Sequence, residues 1–488
     1  MSDNEIINVF AGSPSGAGGL NVFAGSPSGA GGLNVFASPP SGAGGLYFIG
    51  IGGIGMSAIA RYYHAQGVKV SGYDKTQTAL TKELEEAGID IHYTEDVNAI
   101  PTNVELVVYT PAVPEHHAEL VYYRNNNYKV IKRSDVLKLI TESSFNICIG
   151  GTHGKTTVST MTAHILRHTG YGCNAFLGGI SANYDTNFWS SEKNVVVVEA
   201  DEYDRSFLKL SPDVAVITAM DADHLDIYGT ADEVENAFIE FGGKVKEGGL
   251  LITKYGLSRT DDFKASSHLT YSFDNDAADV YATELRVQFG MYIFNVVGKD
   301  WVLTDVQLHM GGLHNIENVI AAIAVAKYLE IEDKKIIEAV AEFKGVKRRF
   351  EYVLKEEEHV LIDDYAHHPE ELRALITGVR SLFKQRLVIV FQPHLYSRTK
   401  DQADGFAEVL GMADEVILLP IYPARESPMK GVSSEMIEER MKEMMVQVME
   451  KEEMVEYLQR KQPELVVMAG AGDIDVWVDK VREVLIRN

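Results

Sequence analysis

Phe145-Asn146-Ile147-Cys148-Ile149-Gly150, followed directly by Gly151-Thr152-His153-Gly154-Lys155-Thr156-Thr157, is the stretch on which the reading of the fold turns. The first six residues read as an apolar, buried strand and Val158 opens a helical pattern, so the glycines fall at a strand-to-helix turn. Such a turn leaves backbone N–H groups free to cradle phosphate, and the helix dipole adds positive potential. From that position Lys155 would reach β- and γ-phosphate oxygens, while Thr156 would offer its hydroxyl to magnesium. A strict P-loop has glycine five residues before Gly154. Ile149 stands there, so the loop is a shortened relative of that pattern. The candidate ATP-binding set is therefore Gly151, Thr152, His153, Gly154, Lys155, Thr156 and Thr157; the competing reading is a Gly-Lys-Thr turn without a ligand.

Outward from this loop, short Val/Ile-rich runs alternate with longer segments of helical period, the pattern of parallel α/β architecture. Three blocks follow from Leu46. The first has candidate strands at 46–51, 68–73 and 105–110. The second runs from the strand at 145–150 through 194–199 and 214–218 to a helical pattern at 315–329, with 269–273 and 292–297 read as added antiparallel strands. The third has strands at 360–363, 387–391, 415–419 and 465–469, and its Met/Glu/Lys-rich segment 434–457 reads as one amphipathic surface helix. The expected fold is α/β with three domains: an N-terminal Rossmann-like domain (46–142), a central P-loop ATPase-like domain (143–344) and a C-terminal Rossmann-like domain (345–488). Residues 1–45 hold a thirteen-residue unit repeated three times, from Asn8, Asn21 and Asn34. Each copy offers only Val, Phe and Leu for burial, so a disordered or loosely packed insertion is expected.

A second glycine loop, Gly50-Ile51-Gly52-Gly53-Ile54-Gly55, follows the first strand and opens a helix, with Asp74 ending the next strand. Glycines let the backbone approach a diphosphate at a helix N-terminus. Alone, the pattern reads as a nicotinamide-dinucleotide fingerprint, and it does not say which diphosphate is bound. In the central block, Val195–Val198 leads into Glu199-Ala200-Asp201-Glu202, placing a carboxylate at the carboxyl end of a buried strand, where ligand crevices lie. The strand at 214–218 leads into Asp221-Ala222-Asp223-His224. Thr156 with Glu199 suits one magnesium ion, and Glu199 with His224 a second divalent ion; Asp221 and Asp223 read as capping or solvated residues.

The chain has 488 residues, 45% of them hydrophobic, and a net charge of −25. That charge repels nucleic acid and anionic membrane, leaving small phosphorylated ligands as partners. No apolar stretch reaches eighteen residues, and the first five residues lack the flank and core of a secretory signal, so a cytoplasmic chain without membrane insertion is expected. Cys148 and Cys173 lie in apolar settings without metal-ligand spacing and read as buried thiols. Oligomeric state is not encoded in these patterns; a monomer or a homodimer is expected.

From Leu46 onward the motifs resemble the Mur ligases, which add amino acids to UDP-N-acetylmuramic acid in bacterial peptidoglycan synthesis. The residues carrying the likeness are Gly50 to Ser57, Gly151 to Thr157, Glu199 to Glu202, Asp363-Asp364-Tyr365-Ala366-His367-His368-Pro369, and Gln392-Pro393-His394 with Ser397-Arg398-Thr399. The pattern looks most like the member that adds the first residue, L-alanine. The resemblance implies a UDP-sugar site at Gly52, Gly53, Ile54 and Gly55 with Asp74 near the uridine. It implies an ATP site at the second loop with Asn315 and Asn318 near adenine, and catalytic roles for Lys155, Glu199, His224, His367 and Arg398. The third domain would close over the site, with Arg349 and Asp364 toward the nucleotide and Tyr365, His367 and Arg398 toward the acceptor. ATP and two magnesium ions would be used, with UDP-N-acetylmuramate and L-alanine as substrates. Three positions depart from the family pattern: Ala219 for asparagine, Gly311 for proline and Leu395 for arginine. A sibling ligase that attaches a preformed peptide shares most of these motifs, and an NAD-dependent dehydrogenase would use only the first glycine loop. A non-catalytic nucleotide-binding scaffold is the remaining alternative.

Overall fold

The computed structural model describes residues 44–203, 205–221, 225–288, 290–424, 426–441 and 445–486. The triple repeat lies outside the described residues except for its last three, Gly44-Gly45-Leu46, and the second and third of these already belong to a strand.

Three sheets carry the chain. The first comprises β1 (Gly45–Ile49), β2 (Val70–Tyr73), β3 (Asp90–His92), β4 (Val104–Tyr109) and β5 (Val130–Lys132) in the order β3-β2-β1-β4-β5, all parallel. The order reverses between β1 and β4, and a crevice at the carboxyl ends of these two strands is the usual ligand site of such a sheet. The helix Ile54–Ala65 starts there, directly after the first glycine loop.

The second sheet has ten strands: β6 (Phe145–Gly150), β7 (Asn174–Ser181), β8 (Thr186–Trp189), β9 (Val195–Ala200), β10 (Val214–Ile217), β11 (Leu250–Lys254), β12 (His268–Ser272), β13 (Val280–Gln288), β14 (Met291–Gly298) and β15 (Trp301–Leu308). Their order is β15-β14-β13-β12-β11-β10-β6-β9-β7-β8. Its middle strands are continuous apolar runs because helices cover both faces. The helix Lys155–His168 and the helix Leu313–Tyr328 pack against one another, and the second is buried on nearly every side from Ile316 to Ala326.

The third sheet contains β16 (Glu351–Lys355), β17 (Val360–Asp364), β18 (Leu387–Phe391), β19 (Glu415–Leu418), β20 (Val446–Val448) and β21 (Leu465–Ala469), in the order β16-β17-β21-β18-β19-β20. Only β16 runs antiparallel to its neighbour. One apolar core runs from the second sheet into the third, joining Ile149, Ile316 and Met310 to Phe350, Leu375 and Ile389. The first sheet keeps a separate aromatic core around Tyr47, Tyr73, Tyr109 and Tyr123.

Two sequence expectations need correction. The strand expected at 269–273 is β12, and it pairs parallel with both β11 and β13, following a crossover from β11; the strand expected at 292–297 lies in β14, which short turns join to β13 and β15 in antiparallel pairs. The single helix expected at 434–457 is broken into a turn of helix at Glu435–Glu438, strand β20 and a helix at Lys451–Lys461. Ile437, Met441, Met454 and Leu458 are all buried, and Val446 to Val448 extend the sheet beside β19, so the apolar residues serve two elements instead of one stripe.

Gly311 has a steric reason to be glycine. A Cβ built there would stand 1.9 Å from Cζ of Phe350, a residue held at φ +50° where the chain passes into the third sheet. A proline ring at 311 would occupy the same space. Gly311→Ala is expected to lower the free energy of unfolding by about 1–3 kcal/mol through overpacking. Urea denaturation measures this, and an unchanged midpoint would mean that Phe350 does not pack against residue 311.

Candidate active site

Strand β6 lies between β9 and β10, with Gly150 opposite Ala200 on one side and Ile217 on the other. The loop leaving β6 therefore emerges between Asp201-Glu202 and Thr218-Ala219. Gly151 (φ +140°) and Gly154 (φ +81°) adopt backbone conformations that favour glycine. The space a side chain would need is already filled: a Cβ at 151 would stand 2.0 Å from Thr218 Oγ1, and one at 154 would stand 2.8 Å from Asn318 Oδ1. The Thr218 hydroxyl donates to the His153 carbonyl, Thr152 N–H donates to the Ala219 carbonyl at 3.1 Å, and Asp221 N–H donates to Thr152 Oγ1 at 3.1 Å. Ala219 thus contributes through its backbone, which its side chain leaves untouched.

Lys155 and Thr156 begin the helix with no acidic residue in its first turn. Lys155 Nζ donates to the Gly151 carbonyl at 2.6 Å and to Glu202 Oε1 at 2.8 Å. Glu202 is buried, and it holds the lysine folded back over the loop. Thr156 Oγ1 donates to Glu199 Oε1 at 3.1 Å, and Gly178 N–H donates to Glu199 Oε2 at 3.0 Å. Burial pushes the Glu199 carboxyl above its usual range, opposed by the charges of Lys155 and Arg349 and by the Thr156 hydrogen bond. A cation beside Thr156 and Glu199 would remove that penalty. Among the described residues no three His, Cys, Asp or Glu side chains converge as a metal cage; one hydroxyl and one carboxylate fit magnesium, which keeps several waters and shares phosphate oxygens. His224 and Asp223 lie outside the described residues. Thr157 is buried, while His153 is largely exposed, 3.9 Å from Asp221. Asn315 Nδ2 donates to the Gly311 carbonyl at 2.7 Å and Asn318 Nδ2 donates to Asn315 Oδ1 at 2.9 Å, so Asn315 holds Asn318 against Gly154 of the loop.

At the first glycine loop Gly53 and Ile54 are exposed. Asp74 is committed to the loop itself: Oδ2 accepts from Gly52 N–H at 2.8 Å and Oδ1 from Thr76 N–H at 3.1 Å. The first loop and the helix it opens are tied to the central domain through β7 and β8. Asn187 on β8 donates to the Ile54 carbonyl at 2.5 Å and to Ser57 Oγ at 3.0 Å, and Tyr62 packs edge-on against Phe176 and Phe188.

The third sheet reaches the central site through residues 344–350. Val346 pairs with Ser181, Lys347 N–H donates to the Ile180 carbonyl, and the Val346 side chain fills the space beside Gly179. Arg349 follows, close enough for its charge to act on both Glu199 and Asp364. Asp364 accepts from the N–H groups of Phe350 and Ala366, each at 2.7 Å, and burial still raises it to about 6. Its neighbour Asp363 is pushed up to about 7 by burial against the pull of Arg348.

Tyr365, His367 and Arg398 gather in one cluster with His394. Tyr365 is 45% exposed, its ring 5.3 Å from that of His367, which is 5.9 Å from that of His394. Nδ1–H of His367 donates to the Tyr365 carbonyl at 2.9 Å, with Glu371 Oε2 3.3 Å away. Arg398 Nη1 approaches His394 Nδ1 at 3.4 Å, and His394 is held below its usual range by burial, with Arg398 and His367 adding to it. Leu395 caps the helix Tyr396–Leu410 at φ +70° and is fixed by its N–H to the Tyr422 carbonyl. Glu202 and His394 stood inside quoted motifs without a role assigned to them, whereas Gly178 and Asn187 left no signal in the sequence.

This arrangement defines a three-domain α/β protein with a glycine loop at a strand-to-helix turn in each of its first two domains and a His/Arg cluster in the third. The comparisons agree. Residues 45–144 match the Mur ligase family catalytic domain, 149–326 the Mur ligase middle domain and 348–472 the Mur ligase glutamate ligase domain. UDP-N-acetylmuramate–L-alanine ligase of Flavobacterium johnsoniae is 46% identical over 448 residues, spanning 91% of this chain and 98% of its own. The enzyme of that name from Porphyromonas gingivalis is also 46% identical, over 90% and 98%. The crystal structure of UDP-N-acetylmuramate–alanine ligase from Thermotoga maritima superposes with a TM-score of 0.76 at 28% identity, covering 90% of this chain and 98% of that one. The chain belongs to the Mur ligase family.

Both buried aspartates favour their protonated forms when folded. Their folded pKa values lie above the usual unfolded value of about 3.9, so the stability they confer is complete at low pH and is lost as pH rises from about 4 through about 6 and about 7. Asp363→Asn is expected to flatten that loss. Denaturant unfolding at a series of pH values checks this, and an unaltered slope would contradict the burial argument.

Proposed function

We propose that this protein joins L-alanine to the carboxylate of UDP-N-acetylmuramate at the expense of ATP, giving UDP-N-acetylmuramoyl-L-alanine, ADP and phosphate, in peptidoglycan synthesis. It is an amide-forming ligase. The observation that carries the reading is the convergence of Lys155, Thr156, Glu199 and Glu202 at one sheet edge, with Arg133 bridging the first glycine loop to Asp201 of the same acidic turn.

The roles divide by domain. The segment 46–142 takes the UDP part, with Gly52, Gly53, Ile54 and Gly55 at the diphosphate and Asp74 holding the loop's shape beside the uridine. The segment 143–344 takes ATP along Gly151 to Thr157, with Asn315 and Asn318 supporting the adenine side. The segment 345–488 contributes Arg349 and Asp364 to the nucleotide and Tyr365, His367 and Arg398 to the amino acid.

A carboxylate is a poor electrophile until it is phosphorylated. The muramyl carboxylate oxygen attacks the γ-phosphorus and expels ADP; the amine then attacks the acyl carbon and expels phosphate. Lys155, exchanging Glu202 for phosphate oxygens, neutralises charge as it develops, which is the dominant contribution to phosphoryl transfer. Thr156 and Glu199 would hold one magnesium ion, and Glu199 with His224 a second; bound there, these ions supply further positive charge against the phosphates. His367 would take, through Nε2, the proton that the ammonium of alanine must lose.

Lys155→Ala is expected to lower alanine-dependent phosphate release by about 10²–10³-fold. Because it also leaves Glu202 buried without its partner, Lys155→Arg is measured beside it, with thermal unfolding of both; the arginine variant should keep most of the stability and little of the turnover. Release at the normal rate from both variants would refute the assignment. Offering L-alanine and a preformed peptide to the unaltered protein identifies the acceptor: phosphate release is expected with alanine, and release with peptide alone would point to the sibling activity.

A further inference from the structure

Arg133 opens the helix Arg133–Glu142, immediately after β5. Its guanidinium lies across the last glycine of the first loop: a Cβ on Gly55 would stand 2.2 Å from Nη1 and 3.3 Å from Cζ. Gly55 has no left-handed φ that would call for glycine, so this contact is what excludes a side chain there. From the same position Nη2 donates to Asp201 Oδ2 of the central domain at 3.3 Å. That distance is long for a charge-assisted bond, and the Asp201 side chain is 40% exposed, so the pair holds the arginine only weakly. Packing against the glycine loop, more than Asp201, fixes where this cation sits.

The loop it covers lacks positive charge. Gly50 to Ser57 contains no basic residue, and the Asp74 carboxylate accepts from Gly52 N–H, adding negative charge beside the backbone amides that would meet a diphosphate. In a chain of net charge −25 that deficit must be met locally. A guanidinium offers five N–H donors in a planar fork suited to phosphate oxygens.

We propose that Arg133 is a diphosphate-binding residue for the UDP-sugar, releasing Asp201 when the substrate binds and closing over the diphosphate seated at Gly53–Gly55. This rests on the substrate reading given above. Asp201 is then the resting partner, two residues beyond Glu199, and its role is to hold the guanidinium over the loop before substrate arrives.

The test is calorimetric binding of UDP and of UMP, together with steady-state kinetics on UDP-N-acetylmuramate, for the unaltered protein, Arg133→Ala, Arg133→Lys and Asp201→Asn. Arg133→Ala is expected to weaken UDP binding, and to raise KM for the UDP-sugar, about tenfold or more, with UMP affected less than about threefold. KM for ATP should not change, which also reports that the variant is folded. Arg133→Lys should fall between, since a point charge replaces a fork, and Asp201→Asn should bind UDP as well as or better than the unaltered protein. The assignment is overturned if Arg133→Ala binds UDP normally, if it loses UDP and UMP equally, or if Asp201→Asn weakens UDP as much as Arg133→Ala does, the mark of a mere staple between domains. Failure of the unaltered protein to bind UDP or turn over the UDP-sugar overturns the substrate reading along with it.

Discussion

Parallel pairing of β6 with β9, in the register that sets Ile149 opposite Glu199 and Gly150 opposite Ala200, determines where the chemistry can occur. Because the strands run the same way, their carboxyl ends finish at one edge, and a phosphate loop leaving one strand meets an acidic turn leaving the other. A slip of one residue would turn Glu199 to the opposite face of the sheet and separate it from Thr156. The interior Val195 to Val198 is buried on both faces and makes that slip costly. Even the neighbouring glycine follows from this register, since a Cβ on Gly178 would stand 2.2 Å from Glu199 Oε2.

The charges around this edge are arranged in pairs. Lys155 rests on Glu202, and Arg133 rests on Asp201 across the seam. The first pair is buried, where removing one partner strands the other at a cost of about 3–5 kcal/mol; the second is half-exposed and weak. Each carboxylate holds a cation beside a glycine loop, Glu202 the lysine that follows Gly154 and Asp201 the arginine that lies over Gly55. Arg349 extends the scheme to the third domain, because its charge acts on Glu199 of one sheet and Asp364 of another.

Much of the fold was legible in the sequence, and the reasons are physical. Apolar runs such as Val195–Val198 mark buried parallel strands, and glycine at a strand-to-helix turn marks an anion loop; family resemblance then supplied the roles. The parallel setting of β12 was not legible, because a strand's partner direction depends on the connection and not on its own residues. Nor was the break in 434–457, where Met and Glu suit helix but Val446 to Val448 gain more by completing a sheet edge. Asn187 and Arg133 gave no local signal. Their importance comes from touching the first glycine loop from elements distant in sequence, and the same holds for Phe350 filling the space above Gly311.

The central claim is that an oxygen of the sugar-nucleotide carboxylate passes to the γ-phosphoryl group before the amide forms. UDP-N-acetylmuramate labelled with ¹⁸O in that carboxylate, turned over with ATP and L-alanine, tests it most directly by mass spectrometry of the released phosphate. The account predicts one ¹⁸O atom in each phosphate and one retained in the amide. Unlabelled phosphate, with both labelled oxygens absent from it, would contradict the acyl-phosphate route.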